Sequence, residues 1–391
     1  AGSSIPQEDF TGAAPEAELA VVKLKPAKKY LRDFYLIPSD APAFQENDIM
    51  MGIKYLRMMA DRLKKPLVIL LAMGSNSGSH IGTSPLSQVT QNYSGFFGII
   101  TVIAGGNETG AAHHFYASIP AGTEYEDVEI RVGKEEAERG FVLELWAADA
   151  DTYTVGFISP SGERISRIPI IANNETSIPF LLDATTITVN YQLIEAESGS
   201  QLIFMRFQTP AAGIWTVRVY NTQRFKGTFH MWLPVQGMIS EETVFLRPDP
   251  YSTITVPGNS RLPITVGAYD TSTGGIYIHS SRGFTPNQIV KPELAAPGVN
   301  ILGPSVGRKP GSDTPMTTRT GTSAAAAITA GAAANLLGWG IVEGNYPTMS
   351  EASVKSYLIR GAQRNPALTY PNREFGYGTL DLFQTFLRLR E

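Results

Sequence analysis

The 391-residue chain has no cysteine, which excludes disulfides, thiol nucleophiles and cysteine-ligated zinc but leaves the redox compartment open. Histidine is scarce as well. Its five positions are His80, His113, His114, His230 and His279, and none falls in a metal-ligating spacing such as H-E-x-x-H. A dominant sign of charge is also missing. Lys plus Arg number 32 against 36 Asp plus Glu, a net charge of -4, so a nucleic-acid partner is not expected. The opening AGSSIPQEDFTG has no basic-then-apolar targeting pattern. One charge-free run approaches membrane length, AAAAITAGAAANLLGWGIV at 324–342. Rich in small residues and interrupted by Asn335, it reads as a closely packed buried helix, and no membrane span is expected.

What is present divides into three zones. With 43% hydrophobic and 17% charged residues, the chain can bury a large core as two domains or as one with an insertion. In residues 1–119, AELAVVKL (17–24), PLVILLAM (66–73) and GIITVIAGGN (98–107) read as strands. NDIMMGIKYLRMMADRL (47–63) places Ile49, Ile53, Leu56 and Met59 on one helical face. Strand, helix and strand in succession predict a parallel α/β sheet. Residues 120–240 switch to period-two alternation in DVEIRV, FVLELWA, TYTVGFI, TITVNYQL, QLIFMRF, GIWTVRVY and GTFHMWL. Short alternating strands at this spacing predict an inserted β-sandwich of jelly-roll type. The zone holds 15 acidic and 9 basic residues, net -6, so the remainder carries +2; a solvated sandwich exterior accounts for this. From 241 to 391 the α/β pattern resumes, with strands in LPITVGAYD and PELAAPGVNIL and a helix in SEASVKSYLIRGA capped by Ser350.

The chemistry centres on TGTSAAAAITAG (320–331). Alone, Gly-Thr-Ser before an apolar helix is an ordinary helix cap, and a serine hydroxyl is a poor nucleophile without a base. The order of the other segments changes that reading. AELAVVKL, VILLAMGSNSGS, VIAGGNETG, TVGAYD, LAAPGVNI, GTSAAAAITAG and GYGTLD follow one another as in subtilisin-like serine proteases, which the chain resembles over 1–119 and 241–391. The resemblance implies Ser323 as nucleophile and Asn107 as oxyanion donor. It also implies Ala72, Met73 and Gly74 with Ala104, Gly105 and Gly106 as backbone walls that bind an extended peptide substrate.

The pattern departs from the family in instructive places. The family's aspartate and histidine have no counterpart here. GAAPEAEL at 12–19 matches the segment that follows the family's histidine helix, with Ala1 and Gly2 as that helix's tail. Both missing residues are therefore expected on a companion segment upstream of Ala1, together with a prodomain, and this chain alone is expected to be inactive and unstable. His113 and His114 follow Asn107 closely enough to be weighed as a replacement base. A loop pair near the site, anchoring the insertion, is the favoured reading, and His230 is read as a satisfied residue of the sandwich. Ala327 stands where the family usually has proline, and Asn107 and Thr265 lie 158 residues apart. With GNETGAAHH, WGIVEGN and YPNREFGYGTLDL, these features resemble the clostridial spore-germination proteases, the Csp group. That likeness implies limited proteolysis of a protein substrate, activation of a spore cortex-lytic enzyme, in a spore-associated or secreted bacterial protein. No cofactor is implied; calcium sites occur in the family, but no oxygen-rich loop here identifies one. Two other readings stay open: a pseudoprotease acting as a scaffold or germinant-signalling protein, and an insertion that serves as a binding module.

Overall fold

The computed structural model describes residues 10–148, 151–171, 174–223, 225–305 and 316–389. The expected helix tail at Ala1 and Gly2 lies outside them. In chain order come α1 (Lys29–Tyr35), α2 (Glu46–Leu63), β1 (Leu67–Leu71), α3 (Pro85–Ser94) and β2 (Ile99–Ala104). Next are β3 (His114–Ile119), β4 (Tyr125–Val132), α4 (Lys134–Arg139), β5 (Phe141–Ala147), β6 (Tyr153–Ile158), β7 (Arg164–Ile165) and β8 (Glu175–Phe180). They are followed by β9 (Thr185–Gln192), β10 (Leu202–Gln208), β11 (Gly213–Asn221), β12 (Gly227–Trp232) and β13 (Val244–Phe245). The chain closes with β14 (Ile264–Tyr269), β15 (Leu294–Pro297), β16 (Ile301–Pro304), β17 (Met316–Arg319), α5 (Thr322–Leu337), α6 (Glu351–Gly361) and α7 (Leu382–Arg388).

The parallel sheet has the order β1-β2-β14-β15. Its period-two side-chain alternation sorts the helices onto opposite faces. Ile99 and Ile103 of β2 pack with Ile53 of α2 and Leu86 of α3. Ile100, Val102 and Ala104 pack with Ala325, Ala326, Ala332 and Ala333 of α5. Alanine on this face lets the helix axis approach the sheet closely. By length and composition Thr322–Val342 could cross a membrane; here it is the core helix against the parallel strands.

One expected strand is absent from the sheet. Residues 17–24 run without a sheet partner among the described residues, and Leu19 and Val21 are 74% and 81% exposed. The apolar composition is that of a strand, but a strand needs a neighbour to satisfy its backbone, and none lies beside it.

Between β2 and β14 the chain leaves the sheet for a two-layered antiparallel unit. One layer has the order β3-β12-β5-β10-β9-β8 and the other β13-β4-β11-β6-β7. Its core is aromatic, with Trp215, Phe141, Phe157, Phe207, Phe229 and Phe245 fully enclosed. The antiparallel layers extend from His114 to Phe245, so the boundaries expected at 120 and 240 leave out β3 and β13. The outer face of the six-stranded layer lies on the parallel-sheet region. Trp232 stacks on His80 with ring centres 3.9 Å apart, and Phe204 stacks on Phe34 of α1 at 5.6 Å.

Candidate active site

Ser323 is the second residue of α5 and is exposed. The helix begins there because Gly321 takes φ 141°, a conformation an L side chain rarely adopts. A Cβ at that position would also lie 3.2 Å from Asn107 Nδ2, so the glycine lets the asparagine amide approach the helix start. The backbone N–H of Thr322 donates to Asn107 Oδ1 at 3.0 Å, and the Thr322 hydroxyl donates to it at 3.3 Å. Because a backbone N–H can only donate, the oxygen end of this amide is fixed and Nδ2 is its outward donor. Thr322 Oγ1 accepts in turn from the N–H of Gly106 at 3.1 Å. The end of β2 and the start of α5 are thus locked together, although Asn107 and Ser323 are 216 positions apart in sequence.

A cleft of about 290 Å³ opens here. Ala72, Met73, Gly74, Ala104, Gly106, Asn107 and Ser323 all line it. Gly105 does not; its N–H donates to Val266 O and its carbonyl accepts from Thr255 N, both at 3.0 Å. Gly74 has no room for a side chain, since a Cβ there would meet the Thr255 hydroxyl at 2.1 Å. The cleft also contains Glu108, Val235, Gln236, Thr255 and Thr322, which sequence reasoning did not select. Glu108 and Thr322 adjoin matched residues and were within reach of it. Val235 and Gln236 arrive from beyond β12, and no local pattern marks them as neighbours of the serine.

The Ser323 hydroxyl donates to the carbonyl of Ala72 at 3.2 Å. None of the five histidines is hydrogen-bonded to it. His113 is buried with Nδ1 3.1 Å from Glu108 Oε2. His114 opens β3 and pairs with Asp249 O and His230 Nδ1. His80 is buried between Ile254 O and Asn76 O. Burial holds His80 and His114 down to a pKa of about 4 and holds His230 well below its ordinary value. Among the described residues, no three His, Cys, Asp or Glu side chains converge as metal ligands.

A parallel sheet carrying a central helix with a serine at its start, and an asparagine amide clamped beside it, defines the class of subtilisin-type serine peptidases. A sequence profile of the subtilase family matches residues 247–378, which include Ser323. The structure of the Clostridium perfringens CspB protease matches with a TM-score of 0.80 at 30% identity, over 90% of this chain and 72% of that one. The chain belongs to the subtilase family, and it is similar to the CspB protease over 90% of its length. The prenylagaramide maturation protease PagA matches at 28% identity over 36% of this chain and 46% of its own, with a TM-score of 0.29. The patellamide maturation protease PatA matches at 27% over 36% and 47%, with a TM-score of 0.28. No curated protein matches.

Proposed function

We propose that this chain is the nucleophile-bearing part of a serine endopeptidase that cuts a protein substrate at a limited number of sites. The observation that carries this reading is the amide of Asn107, held by Thr322 at its oxygen so that Nδ2 is free to donate beside Ser323. In the reaction Ser323 Oγ attacks the scissile carbonyl, and the negative charge developing on its oxygen is met by Asn107 Nδ2–H and the Ser323 N–H. The N-terminal dipole of α5 acts in the same direction. The substrate lies extended along the backbone of 72–74 and 104–106, which supplies strand-like hydrogen bonds. Proton transfer needs a histidine oriented by a carboxylate, and both are assigned to a segment upstream of Ala1. Two observations support that assignment: Ser323 donates to a carbonyl and not to an imidazole, and no strand lies beside residues 17–24 among the described residues. Given the likeness to the CspB protease, the substrate class proposed is the proform of a spore cortex-lytic enzyme.

The test uses the complete polypeptide, including whatever precedes Ala1. A fluorophosphonate probe should label Ser323, the label and the proteolysis should both vanish in Ser323→Ala, and residues 1–391 alone should neither label nor cleave. An upstream sequence without histidine or aspartate, or a complete protein that stays unlabelled, would overturn the proposal. The second result would favour the inactive-scaffold reading. Cleavage by residues 1–391 alone would instead promote His113 to base, since both ring nitrogens of His114 are already engaged.

A further inference from the structure

A second cleft, of about 320 Å³, lies between the outer face of the six-stranded layer and the loops of the parallel-sheet region. Tyr116, Trp146, His230 and Trp232 line it from the sheet, with His80 and Arg373 among the residues facing them. Its volume is that of a small-molecule site. Three of its polar groups lack a hydrogen-bond or ion-pair partner among the described residues.

The first is an acceptor. His114 Nδ1 lies 3.2 Å from the carbonyl of Asp249, which only accepts, so Nδ1 carries the proton. The neutral His114 ring then has a lone pair at Nε2, and His230 Nδ1, 2.9 Å away, must donate to it. His230 Nε2, on the opposite edge of that ring, is left as a lone pair with no partner among the described residues. The second is a donor. Trp232 is 2% exposed, and its Nε1–H has no acceptor among the described residues, an arrangement that is unfavourable for a buried donor. The third is a cation. The Arg373 guanidinium lies over the Tyr251 ring at 4.4 Å and makes no ion pair among the described residues. The one carboxylate lining the cleft, Asp249, already accepts from the N–H of Tyr251 at 2.8 Å, and its charge disfavours a dianion.

We propose that this cleft binds a small aromatic monocarboxylic acid carrying a hydroxyl or amino group. Its carboxylate pairs with Arg373, its ring lies against Tyr116 and Trp146, and its donor goes to His230 Nε2. Such a ligand would bridge the antiparallel unit and the loop at His80, whose Nε2 lies 3.1 Å from the Asn76 carbonyl just beyond the active-site wall at 72–74. The proposal does not depend on Ser323 being a working nucleophile.

Trp146 and Trp232 are two of the four tryptophans, so fluorescence reads the site directly. The complete protein carrying Ser323→Ala, which prevents self-cleavage, is titrated with 4-hydroxybenzoate, benzoate and phenol. Saturable quenching by 4-hydroxybenzoate with a rise in Tm is expected, with benzoate and phenol each about tenfold weaker for want of one polar contact. Arg373→Met, at an exposed position, should weaken 4-hydroxybenzoate about tenfold while leaving circular dichroism and unliganded Tm unchanged, and Tyr116→Ala should weaken all three compounds. The absence of saturable quenching by 4-hydroxybenzoate, or equal affinity in Arg373→Met, would overturn the proposal whatever the outcome of the proteolysis experiments.

Discussion

Asn107 illustrates how much one side chain is constrained before any substrate arrives. Its oxygen is held by two donors of Thr322, so its N–H can be directed at developing charge without reorganising, the condition under which such a donor is most effective. Asn107→Ala in the complete enzyme should therefore lower kcat by about 10²–10³-fold and leave KM nearly unchanged, as steady-state kinetics on a peptide substrate would reveal. Gly74 calls for the opposite signature. A methyl group there meets Thr255 and displaces the wall along which the substrate is proposed to lie, so Gly74→Ala should raise KM more than it lowers kcat. At this scale the sequence was informative about which residues share the cleft wherever they sit in a contiguous string. GTS and AGGN brought out Ser323 and Asn107, whereas Val235 and Gln236 reach the same cleft only through the path of a long insertion.

Among the elements, those buried on both faces were the most legible. β2 is enclosed throughout, and its unbroken IITVIA run states as much. The Ala-rich α5 and the capped α6 were legible for similar reasons of composition and end chemistry. Segment 17–24 was not, because pairing is a property of two strands and sequence describes only one. Ser350 accepts from the N–H of Ser353 in a reciprocal cap, so Ser350→Ala should cost about 1 kcal/mol in chemical denaturation. A stronger effect is expected beneath the sheet. Lys291, fully enclosed, donates to Glu293 Oε1 at 2.7 Å, and Lys355 donates to the same oxygen at 2.7 Å. Burial lowers the pKa of Lys291 to about 8, yet its hydrogen bonds to Pro263 and Glu293 hold it in place. Lys291→Ala leaves that carboxylate underpaired and should destabilise by about 3–5 kcal/mol, read from the shift in the urea midpoint.

For the molecule as a whole, the joint between the parallel-sheet region and the antiparallel unit is built on imidazoles. His114 and His230 are each held below the ordinary histidine pKa by burial, so both are neutral in the folded protein at neutral pH. The unfolded chain binds their protons first as pH falls below about 6.5, so stability is fully present above that pH and is lost toward the folded His114 value of about 4. For His114 the loss amounts to about 3 kcal/mol across the window. Thermal unfolding should show Tm falling steeply from pH 7 to pH 5, and His114→Gln should flatten that slope even if it lowers Tm everywhere. A Tm independent of pH across this range would show that the joint is not closed as described.

The lateral neighbours β2 and β14 have a further consequence, for the time course of folding. Val102 pairs with Ile264, so a register of the parallel sheet can form only after the ends of a 162-residue excursion meet. Closing so long a loop from a random chain is slow, and contacts of high sequence separation delay folding. If the excursion has first condensed around Trp215 and its aromatic neighbours, its two ends emerge near one another and the effective loop shrinks to a short tether. Refolding should accordingly proceed in two phases, the antiparallel unit first, and Trp215→Ala should slow the appearance of the parallel sheet although it touches no residue of it.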